Sequence, residues 1–82
     1  MTQDFDLPVT YKGAERLFSA TLDAQRFSHR FLVDVYGQEI AFEPDEERNY
    51  RALVEKEMFN KNKKIELELL QAIASAIETI VQ

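Results

Sequence analysis

At 82 residues the chain is one domain, because a chain this short buries only about 60% of the surface its unfolded form exposes, too little to divide between two cores. An apolar share of 45% fits a folded globule, and the 30% charged residues are too mixed in sign to suggest disorder. A net charge of -5 and a pI near 4.8 argue against a general affinity for nucleic acid or an anionic membrane, both of which reward a basic face.

With no cysteine, and His29 as the single histidine, neither a disulfide nor a metal staple is at hand, so packing must suffice. The opening residues Met1 to Asp6 carry no basic and apolar leader, and no run approaches the roughly 20 apolar residues of a membrane span. A cytoplasmic location and no membrane contact are therefore expected.

Along the chain, Leu7, Val9 and Tyr11 alternate with polar neighbours as in a half-buried strand, and Pro8 suits an edge strand because it cannot donate a ladder bond. Lys12-Gly13 supplies a tight turn, after which Phe18, Ala20 and Leu22 alternate as a second strand. Residues 23–28 read as a connection. Phe31, Val33 and Val35 then share one face of the clearest strand, and Gly37-Gln38 suits a type II′ turn into a fourth strand with Ile40 and Phe42 inward.

Pro44 ends that strand, and Asp45-Glu46-Glu47-Arg48-Asn49 is turn chemistry. Tyr50, Ala52 and Val54 alternate as a fifth strand would; a short helix capped by Asp45 is the rival, and Tyr and Val favour the strand. Residues 55–64 read as a charged linker or a frayed first turn, in which Asn60 or Asn62 is a candidate cap. From Ile65 the period becomes helical, with Leu69, Ile73, Ala76 and Ile80 on one stripe. The fold expected is thus α+β, an antiparallel meander of four or five strands (about residues 6–54) packed on one C-terminal amphipathic helix (about 62–81). Its core candidates are Val9, Phe18, Leu22, Phe31, Val33, Val35, Ile40, Phe42, Leu69, Ile73 and Ile80.

The helix also bears on partners. At about 100° per residue its polar positions collect into an arc of roughly 100°, and the apolar sector spans about 200°, twice what one sheet needs. Ile65, Leu69, Ala72, Ala76 and Ile80 form one flank, and Leu67, Leu70, Ala74, Ile77 and Val81 the other. Either the sheet curls around the helix, or the second flank docks on another chain, a symmetry copy first among them.

Chemistry is hard to find. Ser28 and His29 are adjacent and point to opposite faces of a strand, so they form no nucleophile and base pair. One histidine without cysteine leaves carboxylates alone for metal, and no calcium loop pattern is present, so no metal, cofactor or catalytic residue is expected. The acidic run Glu43, Asp45, Glu46 and Glu47 reads as a solvated hairpin tip, with Tyr50 and Arg51 beside it as a second candidate contact surface. Lys61, Lys63 and Lys64, near Phe59, are a small basic footprint on an acidic protein, which argues against nucleic acid as a partner.

The stretch from Val35 through the segment Phe42-Glu43-Pro44-Asp45-Glu46-Glu47 to Ala52 resembles a set of short uncharacterised bacterial proteins that share a strand, a Gly turn and this acidic segment. The resemblance covers most of residues 5–55 and implies a hairpin tip at residues 45–49; it brings no activity, cofactor or binding residue. The expectation from sequence is a non-enzymatic interaction module, self-associating through the helix or binding another protein. The alternative is a small-molecule or catalytic domain with a pocket between sheet and helix, using Tyr11, Tyr36, Arg30 or Glu43.

Overall fold

The structure, a computed structural model, describes residues 2–24, 29–47 and 49–81. Residues 25–28 of the expected connection, including Ser28, and Arg48 of the expected turn lie outside them. Five strands, β1 (Thr2–Tyr11), β2 (Ala14–Ala24), β3 (His29–Val35), β4 (Gln38–Pro44) and β5 (Tyr50–Leu53), pair antiparallel in chain order, and α1 (Lys56–Lys61) and α2 (Leu67–Val81) follow. The fold is the α+β meander with a C-terminal helix that the periodicities predict, with five strands and a short extra helix.

Turn chemistry sets the register. Lys12 and Gly13 have φ of 51° and 77°, and Tyr11 pairs with Ala14, so the first hairpin closes on a type I′ turn. The second turn departs from expectation by one residue. Val35 pairs with Gln38, so the central residues are Tyr36 (φ 52°) and Gly37 (φ 87°), again type I′ rather than type II′. Gly37 serves as the second central residue, and Tyr36 is held in the left-handed region with its ring edge-on to Phe18 at 6.0 Å and its hydroxyl accepting from Arg16 at 2.6 Å. Asp34 accepts the Gly37 N–H at 2.9 Å and braces the turn.

These registers put the alternating residues Leu7, Val9, Phe18, Ala20, Phe31, Val33, Val35, Ile40 and Phe42 on one buried face. Against it pack Ile65, Leu69, Leu70, Ile73, Ala74 and Ile77. Two core expectations are corrected. Leu22 is only half-buried, because it lies at the far end of the long first hairpin opposite Gln3. Ile80 points in nearly the same direction as Ile73 but lies in the last turn of α2 and remains 48% exposed.

Residues 55–64 are also more ordered than their charge suggests. Met58 and Phe59 on α1 pack onto the core, which gives this six-residue helix the tertiary support that a helix so short requires. Asn62 does not cap α2. Its backbone N–H bonds the Met58 carbonyl at 2.9 Å, its side-chain oxygen accepts from Lys64 N at 3.1 Å, and its amide donates to the Tyr36 carbonyl at 3.3 Å. It therefore shapes the turn between the helices, and α2 starts later, at Leu67.

The placement of α2 bears on the question its sequence leaves open. The helix lies against β1 and β5, the two edge strands, so the sheet curls round it. Its buried residues Leu69, Leu70, Ile73, Ala74 and Ile77 span an arc of about 140° at 100° per residue, with half-buried Ala72 and Ala76 on the β1 side and Glu78 on the β5 side. On that side Glu78 accepts the backbone N–H of Tyr50 at 2.8 Å. This bond satisfies an edge-strand donor and fastens the helix to β5.

Candidate binding surface

The polar groups that a pocket between sheet and helix would need do not converge. Tyr11 donates to Glu66 at 3.2 Å just before α2. Tyr36 is engaged by Arg16 at the second turn. Arg30 lies across the outer face between Asp23 at 3.2 Å and Glu43 at 3.9 Å. Arg51 faces Glu43 in the β4–β5 register, so Asp23, Arg30, Glu43 and Arg51 form a row of alternating charge across four strands. The space between sheet and helix is instead filled: Leu7, Val33, Val35, Phe42, Ile73 and Ile77 are each fully covered.

Two titrations are displaced, each for a structural reason. Lys12 is raised, first by the Glu66 carboxylate 3.5 Å away and then by Tyr11, whose ring lies 5.2 Å beneath its ammonium group. The exposed cluster of Tyr11, Lys12 and Glu66 ties the first hairpin turn to the start of α2. Burial raises the Tyr50 phenol, which donates to the His29 carbonyl at 3.1 Å.

The expected partner-contact residues separate into two groups. On the helix, Leu70, Ala74 and Ile77 are 2%, 7% and 0% exposed against the chain's own sheet, so they offer no free second flank; Leu67 and Val81, at the two ends, stay exposed. Of the two alternatives the sequence leaves open for this flank, the curl of the sheet accounts for these three residues; periodicity gives the direction of a side chain and not how far a sheet curls. At the tip, Asp45, Glu46, Glu47 and Arg51 are exposed and Glu43 is half-buried. Asp45 organises the tip from within, its Oδ1 accepting from Glu47 N at 2.8 Å and Asn49 N at 3.0 Å. Tyr50 is corrected as an exposed contact: it is buried edge-on against Phe31, with ring centroids 5.5 Å apart.

Sequence reasoning missed the seam between β1 and α2. There Pro8 and Thr10 face Ala72, Ser75, Ala76, Thr79 and Ile80 across an open groove of about 430 Å³. The sequence holds only a partial sign of it: α2 carries no lysine or arginine, but nothing local pairs it with β1. A second concavity, of about 540 Å³, runs across the outer face from β1 to β4 and is bordered by Asp4, Asp6, Asp34 and Glu39. A third, of about 310 Å³, separates the end of β5 from Met58 and Lys61 of α1.

Among the described residues no group of three or more acidic or histidine side chains is placed to hold a metal ion, and no helix is long and apolar enough to cross a membrane. Comparison with protein families, curated proteins and solved structures finds no match.

Proposed function

We propose that the chain is a non-enzymatic protein-interaction module that binds through its surface, with the seam between β1 and α2 as the contact. The observation that carries this reading is the distribution of apolar groups. The interior is filled by close-packed side chains, while half-buried Ala72 and Ala76 and exposed Ile80 line a groove beside an edge strand. The polar residues of the enzymatic alternative support it too, since none lines the space between sheet and helix: Tyr11 is engaged by Glu66, Tyr36 by Arg16, and Arg30 and Glu43 by each other on the outer face.

Self-association through the helix loses its original motive, because the sheet already covers most of the second flank. The test is chemical-shift mapping of the intact chain with two panels, extended peptides and small polar metabolites. Shifts at β1 and α2 with peptides support the reading. A small molecule that perturbs Leu7, Phe31 and Ile73 between sheet and helix would overturn it.

A further inference from the structure

The free edge of β1 carries three independent features that point to one kind of occupant. The first is its backbone. Tyr11 and Ala14 close a two-residue turn, so odd-numbered residues of β1 share the ladder with β2, and Thr2, Asp4, Asp6, Pro8 and Thr10 point their backbone groups outward. Pro8 falls in this outward set, where its missing N–H costs no ladder bond. The second feature is the groove of about 430 Å³ between this edge and Ala72, Ala76 and Ile80. The third is charge: Asp4 and Asp6 project from the outer face with no ion-pair partner among the described residues, and the outer-face row of β2 that runs beside them is Glu15, Leu17, Ser19, Thr21 and Asp23.

Resting on the interaction-module reading, we infer that β1 accepts an added strand: an extended partner segment with alternating basic and apolar side chains. Its backbone pairs with the outward groups of Thr2, Asp4 and Asp6, where its basic residues meet Asp4 and Asp6 on the outer face; where it continues past Pro8 and Thr10, its apolar residues turn toward α2 and enter the groove beside Ala72 and Ala76. A second copy of the chain is the wrong occupant. Two β1 edges running antiparallel would bring the aspartates of one copy against those of the other, and Pro8 would interrupt both ladders.

The test uses the full chain and a short synthetic peptide of alternating lysine and valine. Binding is expected to shift the amides of Thr2, Asp4 and Asp6 and the methyls of Ala72 and Ala76, and to slow exchange of the Asp4 and Asp6 amides. N-methylating one alternate set of peptide amides, the lysine set if the strands run antiparallel, abolishes binding, whereas methylating the other set leaves it intact. The double variant Asp4→Asn, Asp6→Asn weakens binding about tenfold, and a peptide with glutamate in place of lysine does not bind. Equal sensitivity to both methylated sets would overturn strand addition and leave mere attraction of a polycation. Slow exchange at Asp4 and Asp6 in the free chain at high concentration would overturn it in favour of self-pairing. Peptide-induced shifts confined to the acidic tip or to α1 would overturn the β1 assignment while leaving the module reading in place; no binding by any peptide would sink both.

Discussion

Truncating Leu70 to alanine separates a helix flank that belongs to the core from one that waits for a partner. Leu70 is 2% exposed and packs inside the curl of the sheet. Removing three carbons forfeits about 0.8 kcal/mol each in transfer free energy, and incomplete collapse around the hole adds to this, so the loss should be about 2.5–4 kcal/mol. A domain of this size holds about 4–12 kcal/mol in total, so the variant loses a large fraction of its stability. Leu67, one turn earlier on the same flank and 60% exposed, should cost less than about 0.5 kcal/mol on the same substitution. Urea denaturation followed by circular dichroism measures both, and melting should fall by roughly 10–25 °C for Leu70→Ala and by a few degrees at most for Leu67→Ala. Equal, small losses for the two would refute the placement of α2, because Leu70 would then lie on a surface.

Three further outcomes follow from single contacts. Glu78 lies in the last turn of α2, where a carboxylate works against the helix dipole, so its bond to Tyr50 N–H must outweigh that penalty. Glu78→Ala should destabilise by about 1–2 kcal/mol and speed exchange of the Tyr50 amide, while Glu78→Gln, which keeps an acceptor, should lose less; an unchanged exchange rate would disprove the bond. Gly37→Ala meets no atom within 4 Å at its new methyl, so its cost is the left-handed backbone alone, about 1 kcal/mol by denaturant titration; a loss above about 3 kcal/mol would mean a clash the geometry does not contain. Burial raises the Tyr50 phenol, so the unfolded chain ionises first as pH climbs. The stability due to the protonated phenol is complete below its ordinary value of 10.0 and is lost as pH rises through the higher folded value. Tyr50→Phe should flatten the fall in stability between about pH 9 and pH 11, and an undiminished slope would count against a buried phenol.

Much of this fold is written locally. Alternation alone places Val9, Phe31, Val33, Val35, Ile40 and Phe42 in the core, and the Lys12-Gly13 pair identifies its turn. The second turn lies one residue earlier than Gly37-Gln38 suggests, because Gly suits either central position of a primed turn, and the choice rests on Tyr36 accepting a positive φ while its ring rests on Phe18. Leu7 follows the same alternation as Val9 and is fully covered once α2, from the far end of the chain, packs against β1. The acidic tip shows the converse: its composition is legible, but Asp45 closing the turn and Tyr50 packing inward beneath it depend on β5 pairing with β4. The helix is the clearest instance. Its excess of apolar directions is real, and what answers it is the curl of the sheet, a property of five strands together that no window of sequence contains. The β1–α2 seam went unread for the same reason, since Pro8 and Ala76 are brought together only by that curl.

The account stands on α2 finding its cover within its own chain, leaving an edge and a groove rather than a helical face for partners. Light scattering coupled to size exclusion at two widely separated concentrations tests this most directly. The molar mass should remain at 9.6 kDa at both. A mass that rises toward twice that value with concentration, and falls back when Leu67 and Val81 are changed to charged residues without loss of the fold, would contradict it.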